Sequence, residues 1–175
     1  MDLKEYIRSI PNYPKKGILF RDITTLIKNE KAFTYCIDQI VEKSKQFNFN
    51  KIAAVESRGF VFASAISYIL KKPFILLRKK NKLPAETHSV DFELEYGTAT
   101  IEMHKDSINS NDSVLVIDDL IATGGTAEAA AKLIKISEGK IAGFIFVINL
   151  FDLGGCDKLI KQEYKVENLI NFPGH

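Results

Sequence analysis

Apolar and polar positions recur along this chain with two different periods. Phe33, Cys36, Ile37, Ile40 and Val41 lie three and four residues apart, which predicts an amphipathic helix. Ile52-Ala53-Ala54-Val55 is an apolar run after a polar loop and predicts a buried strand. Phe60 to Leu70 has the length and composition of a helix, and Phe74-Ile75-Leu76-Leu77, after Pro73, predicts a second strand. Such a strand-helix-strand unit implies parallel strands and a right-handed crossover. Ala99, Ile101 and Met103 alternate with polar partners, predicting a half-exposed strand. Val114 to Ile117 predicts a third buried strand, alanine-rich Thr126 to Ile136 a helix, Ile141 to Leu150 a fourth strand, and Val166 to Ile170 a short last one. Residues 3–10 are expected to form a short helix ended by Pro11, and Asn12 to Gly17 to be irregular. The alternation of strands and helices favours an α/β fold, an open, mostly parallel twisted sheet flanked by helices. No repeat, linker or low-complexity segment divides the chain, so residues 1–175 read as one domain.

Composition narrows the function. The hydrophobic share of 46% and charged share of 26% are those of a globular protein. A net charge of only +2, with no basic stripe, argues against a nucleic-acid partner. No apolar stretch approaches the roughly 20 residues that span a bilayer. The opening Met1-Asp2-Leu3-Lys4-Glu5-Tyr6 lacks the pattern of a secretion signal. The expected location is therefore the cytoplasm, away from membranes. Cys36 and Cys156 form no Cys-x-x-Cys pair, and His88, His104 and His175 show no ligand spacing, so no protein-built metal site is expected.

Ligands of open α/β sheets sit beyond the carboxyl ends of the strands. Three chemically loaded segments leave such ends: Glu56-Ser57-Arg58-Gly59, Arg78-Lys79-Lys80-Asn81-Lys82, and Asp118 to Thr126. In the third, two carboxylates end a buried strand, small residues follow, and a helix begins. Gly124 and Gly125 permit backbone turns and close approach to a ligand. Thr123 and Thr126 add hydroxyl donors, and the helix N-terminus favours an anion. That set suits a phosphate. Asp118 and Asp119 would repel phosphate and suit ribose hydroxyls or a divalent cation instead. The plain alternative is an ordinary turn with the aspartates as a helix cap.

Val114 to Thr126 resembles the phosphoribosyl pyrophosphate signature of type I phosphoribosyltransferases. Phe20-Arg21-Asp22-Ile23-Thr24, Glu56-Ser57-Arg58-Gly59-Phe60, Arg78-Lys79 with Lys82-Leu83-Pro84, Leu94-Glu95-Tyr96-Gly97, and Gly154-Gly155 with Asp157-Lys158-Leu159 are similar to segments of the adenine-specific family, in its order. Thr25 stands where that family often has proline, and Cys156 where it often has arginine.

The resemblance implies purine salvage, with adenine and phosphoribosyl pyrophosphate giving AMP and pyrophosphate. It implies an N-terminal base-binding hood over residues 1–30 and a flexible catalytic loop over residues 78–96. Ala122, Thr123, Gly124, Gly125 and Thr126 would hold the 5′-phosphate, and Asp118 and Asp119 the ribose hydroxyls. Arg58 would meet the pyrophosphate, with an ion pair to Glu56 as the plain alternative, and the Glu56–Ser57 bond is a candidate cis peptide. Arg78, Lys79 and Lys82 would neutralise departing pyrophosphate. Glu95 is the candidate general acid toward N7 of adenine, with a solvent-facing hairpin glutamate as the alternative. Leu19, Phe20 and Arg21 would contact adenine, Phe20 by stacking and the other two through backbone groups. Magnesium would arrive with the pyrophosphate, and a homodimer is expected. Two rival readings remain: a phosphoribosyltransferase for another base, and a regulator that only senses phosphoribosyl pyrophosphate. The few residues before Pro11 leave too little chain for a winged helix, and the retained catalytic loop also argues against the regulator.

Overall fold

The computed structural model describes residues 1–93 and 97–174. A 3-10 turn at Leu3–Tyr6 leads into a small antiparallel hairpin, β1 (Arg8–Pro11) with β2 (Leu19–Asp22), in which Arg8 faces Asp22 and Pro11 faces Leu19. The helix expected over residues 3–10 is therefore cut short. Asp2 caps only the first turn, by accepting from the Lys4 N–H at 2.9 Å. The following stretch gains more by pairing with a strand that lies beyond the turn at residues 12–17.

Next come α1 (Thr24–Ile27), α2 (Glu30–Ser44), β3 (Lys51–Val55), α3 (Arg58–Leu70) and β4 (Phe74–Lys79). Helix α2 starts where the Asn29 side chain accepts from the Ala32 N–H at 3.0 Å, the usual N-cap bond. It buries Ala32, Cys36, Ile37 and Ile40 along one face. Then follow β5 (Thr87–Glu93), β6 (Thr98–His104), β7 (Ser113–Ile121), α4 (Gly125–Ile136), β8 (Lys140–Leu150), α5 (Gly155–Lys161) and β9 (Val166–Phe172).

Strands β3 to β9 make one sheet in the order β5-β6-β4-β3-β7-β8-β9. Strands β4, β3, β7, β8 and β9 are parallel, whereas β6 runs antiparallel to both β4 and β5. Alternate residues of the central strands serve opposite faces. Ile52, Ala54, Leu115, Ile117, Ile145 and Val147 pack with α1, α2 and α3. Ala53, Val55, Val114, Val116, Phe144 and Phe146 pack with α4 and α5. Both faces are covered, which is why these strands read as continuous apolar runs.

The segment expected as a long polar loop is largely folded. β4 continues to Lys79, and β5 pairs along its whole length with β6. Val90 and Phe92 pack against the α4-side core, while the alternating Ser89, Asp91 and Glu93 are polar. An edge strand of this kind looks like loop sequence because only one of its faces is apolar. Strand β6 lies between two others, so Ile101, Glu102 and Met103 are all buried rather than alternately exposed.

Candidate active site

The carboxyl ends of β3, β4 and β7 open on one cavity of about 540 Å³. Its wall takes Glu56, Ser57 and Arg58 from the β3–α3 junction, Lys79 from β4, and every residue from Asp118 to Thr126. The Glu56–Ser57 peptide is cis. Gly124 has φ of +87°, in the left-handed region that favours glycine. Gly125 begins α4, so the helix N-terminus faces the cavity wall where small residues line the turn.

The Gly154-Gly155 pair explains how that turn is supported. The Gly155 N–H donates to the Ala122 carbonyl at 3.0 Å. A Cβ on Gly155 would stand 2.3 Å from the same oxygen, so only glycine fits beneath the turn. Gly59 has a similar task at the other wall, where a Cβ would meet Asp118 Oδ1 at 2.7 Å.

Arg58 Nε lies 2.5 Å from Asp119 Oδ2. Burial pulls the Arg58 pKa down, but the charges of Asp119, Asp118 and Asp22 outweigh it and raise the net value. Burial, then the neighbouring Asp119 charge, pushes the Asp118 carboxyl well above the usual carboxylate range, with Arg58 opposing. The Asp119 N–H donates back to Asp118 Oδ1 at 2.9 Å. Glu56 takes a different cation. Arg78 Nη2 is 3.4 Å from its Oε2, and the Lys79 N–H donates to its Oε1. Arg78 also reaches the Lys82 carbonyl at 3.3 Å, and Lys82 itself is exposed. The plain alternative for Arg58, a pair with Glu56, is thus replaced by a pair with Asp119. Glu95 lies outside the described residues.

A second cavity of about 340 Å³ adjoins the first, since Arg58, Leu120 and Ala122 line both. Leu19, Phe20 and Arg21 line it, with Leu150 and Leu153 adding apolar wall. The Phe20 ring meets Tyr13 edge-on at 5.1 Å and lies 5.9 Å from the Arg58 guanidinium. The Arg21 side chain is buried and already engaged, donating to Ser9 Oγ and to the Pro173 carbonyl at 3.0 Å. The sequence offered no signal for Gly174, which also lines this cavity. Leu120 and Ile121 were given no role of their own within the Asp118 to Thr126 segment; β7 runs on to Ile121 rather than ending at Ile117, and that carries both into the cavity wall.

A sequence profile for the phosphoribosyl transferase domain matches residues 23–172. The chain belongs to the phosphoribosyltransferase family. Within it, the chain is similar to adenine phosphoribosyltransferases. That of Pelagibacter ubique strain HTCC1062 is 77% identical over 175 residues, all of both chains. Among solved phosphoribosyltransferases, the adenine enzyme of Thermoanaerobacter pseudethanolicus superposes with a TM-score of 0.93 at 45% identity, covering 97% of this chain and 98% of that one. The Giardia lamblia enzyme, complexed with 9-deazaadenine, gives 0.92 at 30% identity, covering 98% and 96%. The turn at Asp118 to Thr126 and the hairpin strand at Leu19 to Arg21 thus sit in a fold shared along nearly the whole chain.

Proposed function

We propose that this chain transfers the phosphoribosyl group of phosphoribosyl pyrophosphate to adenine, releasing AMP and pyrophosphate in purine salvage. The carrying observation is the pair of joined cavities, one lined by the glycine-rich turn at the α4 N-terminus and two aspartates, the other walled by Phe20 and apolar side chains. Relatives named as adenine phosphoribosyltransferases, and a Giardia enzyme complexed with an adenine analogue, support adenine as the base.

In this reading the 5′-phosphate rests on the backbone N–H groups and hydroxyls from Ala122 to Thr126, against the α4 N-terminus. Asp118 and Asp119 bind the ribose hydroxyls. The charge of Asp119 also favours the positive, oxocarbenium-like character that builds at C1 as pyrophosphate leaves. Lys79 and Arg58, with Arg78 and Lys82 from the adjoining segment, neutralise the leaving group. Arg58 exchanges its pair with Asp119 for one with pyrophosphate. Phe20 stacks on adenine, backbone groups of Leu19 and Arg21 read its edge, and Glu95 protonates N7.

Magnesium fits the donor set of the larger cavity, where the Asp118 and Asp119 carboxylates and the threonine hydroxyls offer the hard oxygen ligands it takes. When bound with the pyrophosphate it supplies further neutralisation of the leaving group. The chain acts as one domain, in the cytoplasm, as a homodimer. Tyr68 and Ile69 of α3 and Leu76 of β4 are exposed apolar side chains of the kind that oligomers cover. The test is to incubate the purified chain with adenine, phosphoribosyl pyrophosphate and magnesium. AMP and pyrophosphate should form in equal amounts, and absence of AMP contradicts the proposal.

A further inference from the structure

We propose that Gly174, held through the adjoining Phe172 and Pro173, is the part of the smaller cavity's wall that sets how tightly the base is held, with Arg21 and Asp152 as its positioning residues. The inference rests on the reading of that cavity as the adenine site.

Gly174 lines the cavity opposite no regular element of its own, since β9 ends at Phe172. Side chains from elsewhere hold the segment. The Arg21 guanidinium stands 4.4 Å from the Phe172 ring centroid, and the Lys4 ammonium 5.7 Å from it. Arg21 Nη2 donates to the Pro173 carbonyl at 3.0 Å, while Nη1 donates to Ser9 Oγ on β1. The Gly174 N–H donates to Asp152 Oδ1 at 2.6 Å. One guanidinium therefore ties both hood strands to the segment, and one carboxylate ties the segment to the turn after β8.

Two details favour a functional purpose over a structural one. Arg21 is 8% exposed, and its Nε has no hydrogen-bond partner among the described residues. Burial of an unpartnered donor costs stability, and departures of this kind concentrate at functional sites. Burial also pulls the Arg21 pKa down, with the Asp152 charge opposing, so the two positioning residues support each other. The second detail is the fit of Gly174. A Cβ there would stand 2.6 Å from Leu153 Cγ and 2.9 Å from Asp152 Oδ1. Leu153 is itself cavity wall. Any side chain at 174 must push Leu153 into the base space or lift the segment away.

The segment is not part of the larger cavity, so its loss should affect the base and not phosphoribosyl pyrophosphate. The experiment measures KM for each substrate in Gly174→Ala, Asp152→Ala, Arg21→Ala and Arg21→Lys, with a thermal melt for each. The adenine KM should rise about tenfold in Gly174→Ala and Arg21→Ala, equivalent to about 1.4 kcal/mol. The KM for phosphoribosyl pyrophosphate should stay within about twofold, a change worth only about 0.4 kcal/mol. Arg21→Lys should recover little, because an ammonium cannot stack on Phe172 and donate in two directions as the planar guanidinium does. If Arg21→Ala does not fold, Gly174→Ala and Asp152→Ala carry the test. Equal rises in both KM values, or an unchanged adenine KM in Gly174→Ala, overturn the inference. The parent chain is assayed first. Failure to turn over adenine there defeats the adenine reading and this inference together, whereas adenine turnover with unaltered KM values in the variants defeats this inference alone.

Discussion

Arg58, at the start of α3, and Asp119, near the end of β7, form an ion pair of 2.5 Å in the wall of the larger cavity. Asp119 is buried, while half of the Arg58 side chain is exposed. In the proposed reading the pair keeps a cation at the site ready for an anionic ligand, and with half of Arg58 in solvent its contribution to folding should be small. Arg58→Ala should lower stability by about 1 kcal/mol, as expected of a solvent-screened pair. Its KM for phosphoribosyl pyrophosphate should rise about tenfold or more, the loss of roughly 1.4 kcal/mol of binding. Urea melts and initial-rate kinetics check both, and an unchanged KM contradicts the pyrophosphate role of Arg58.

Gly124→Val should abolish binding of phosphoribosyl pyrophosphate and AMP. A β-branched residue is a severe outlier at φ of +87°. Its Cβ would also stand 3.2 Å from Gly155 Cα and 3.3 Å from the Gly155 oxygen, so the supporting turn must shift. Circular dichroism should show the fold retained. Calorimetry that finds parental AMP affinity contradicts this placement of the phosphate.

Asp22 anchors the hood to α1. Its carboxylate accepts from the Thr24 hydroxyl at 2.6 Å and the Thr24 N–H at 2.9 Å, and pairs with Arg8. The Thr24 hydroxyl first, and then Arg8, hold its pKa down from 3.8 to about 2. A depressed carboxylate stabilises the fold fully above its unfolded pKa and loses that contribution as pH falls through its folded one. The stability difference between the parent and Asp22→Asn should shrink as the pH drops from about 4 to about 2. A difference that stays constant over that window shows that the hydrogen bonds to Asp22 are not coupled to folding.

Both thiols should be silent in the folded chain. Burial pushes Cys36 up to about 12, and burial with the Asp157 charge pushes Cys156 up to about 11. The thiolate is the reactive form, so Ellman's reagent at pH 8 should react only as fast as the chain unfolds. Rapid reaction of either cysteine in native buffer would contradict their burial.

The parts of this fold that were legible in sequence are those whose neighbours lie on both sides. β3, β7 and β8 are continuous apolar runs because α1 to α3 cover one face and α4 and α5 the other. The turn after β7 was legible as a candidate site because two aspartates, two threonines and two glycines stand together in thirteen residues. The hood was harder to read. β1 is mostly exposed, and β2 buries Arg21 and Asp22, residues that propensity places on the surface. Their partners are distant: Pro173 lies 152 residues from Arg21. No periodicity reveals such a contact, which is why the wall at Gly174 could not be seen in advance. Helix α5 has only seven residues, too few to show a repeat. The exchange of partners among Arg58, Arg78, Glu56 and Asp119 depends on how three strand ends meet in space, which the local sequence does not encode.

Base choice tests the reading most directly. Adenine carries an amino group at C6 and an unprotonated N1, whereas hypoxanthine carries a carbonyl and a protonated N1. Donor and acceptor are exchanged along that edge. If backbone groups at Leu19 and Arg21 are matched to adenine, as proposed, hypoxanthine leaves a buried donor and a buried acceptor each facing its own kind. Sites built on such hydrogen bonds reject the mismatched analogue by about 10⁴–10⁵ in kcat/KM. The measurement is kcat/KM for adenine, hypoxanthine and guanine at saturating phosphoribosyl pyrophosphate and magnesium. Adenine should be preferred by at least about 10⁴. A preference below about tenfold, worth only about 1.4 kcal/mol, contradicts adenine as the substrate.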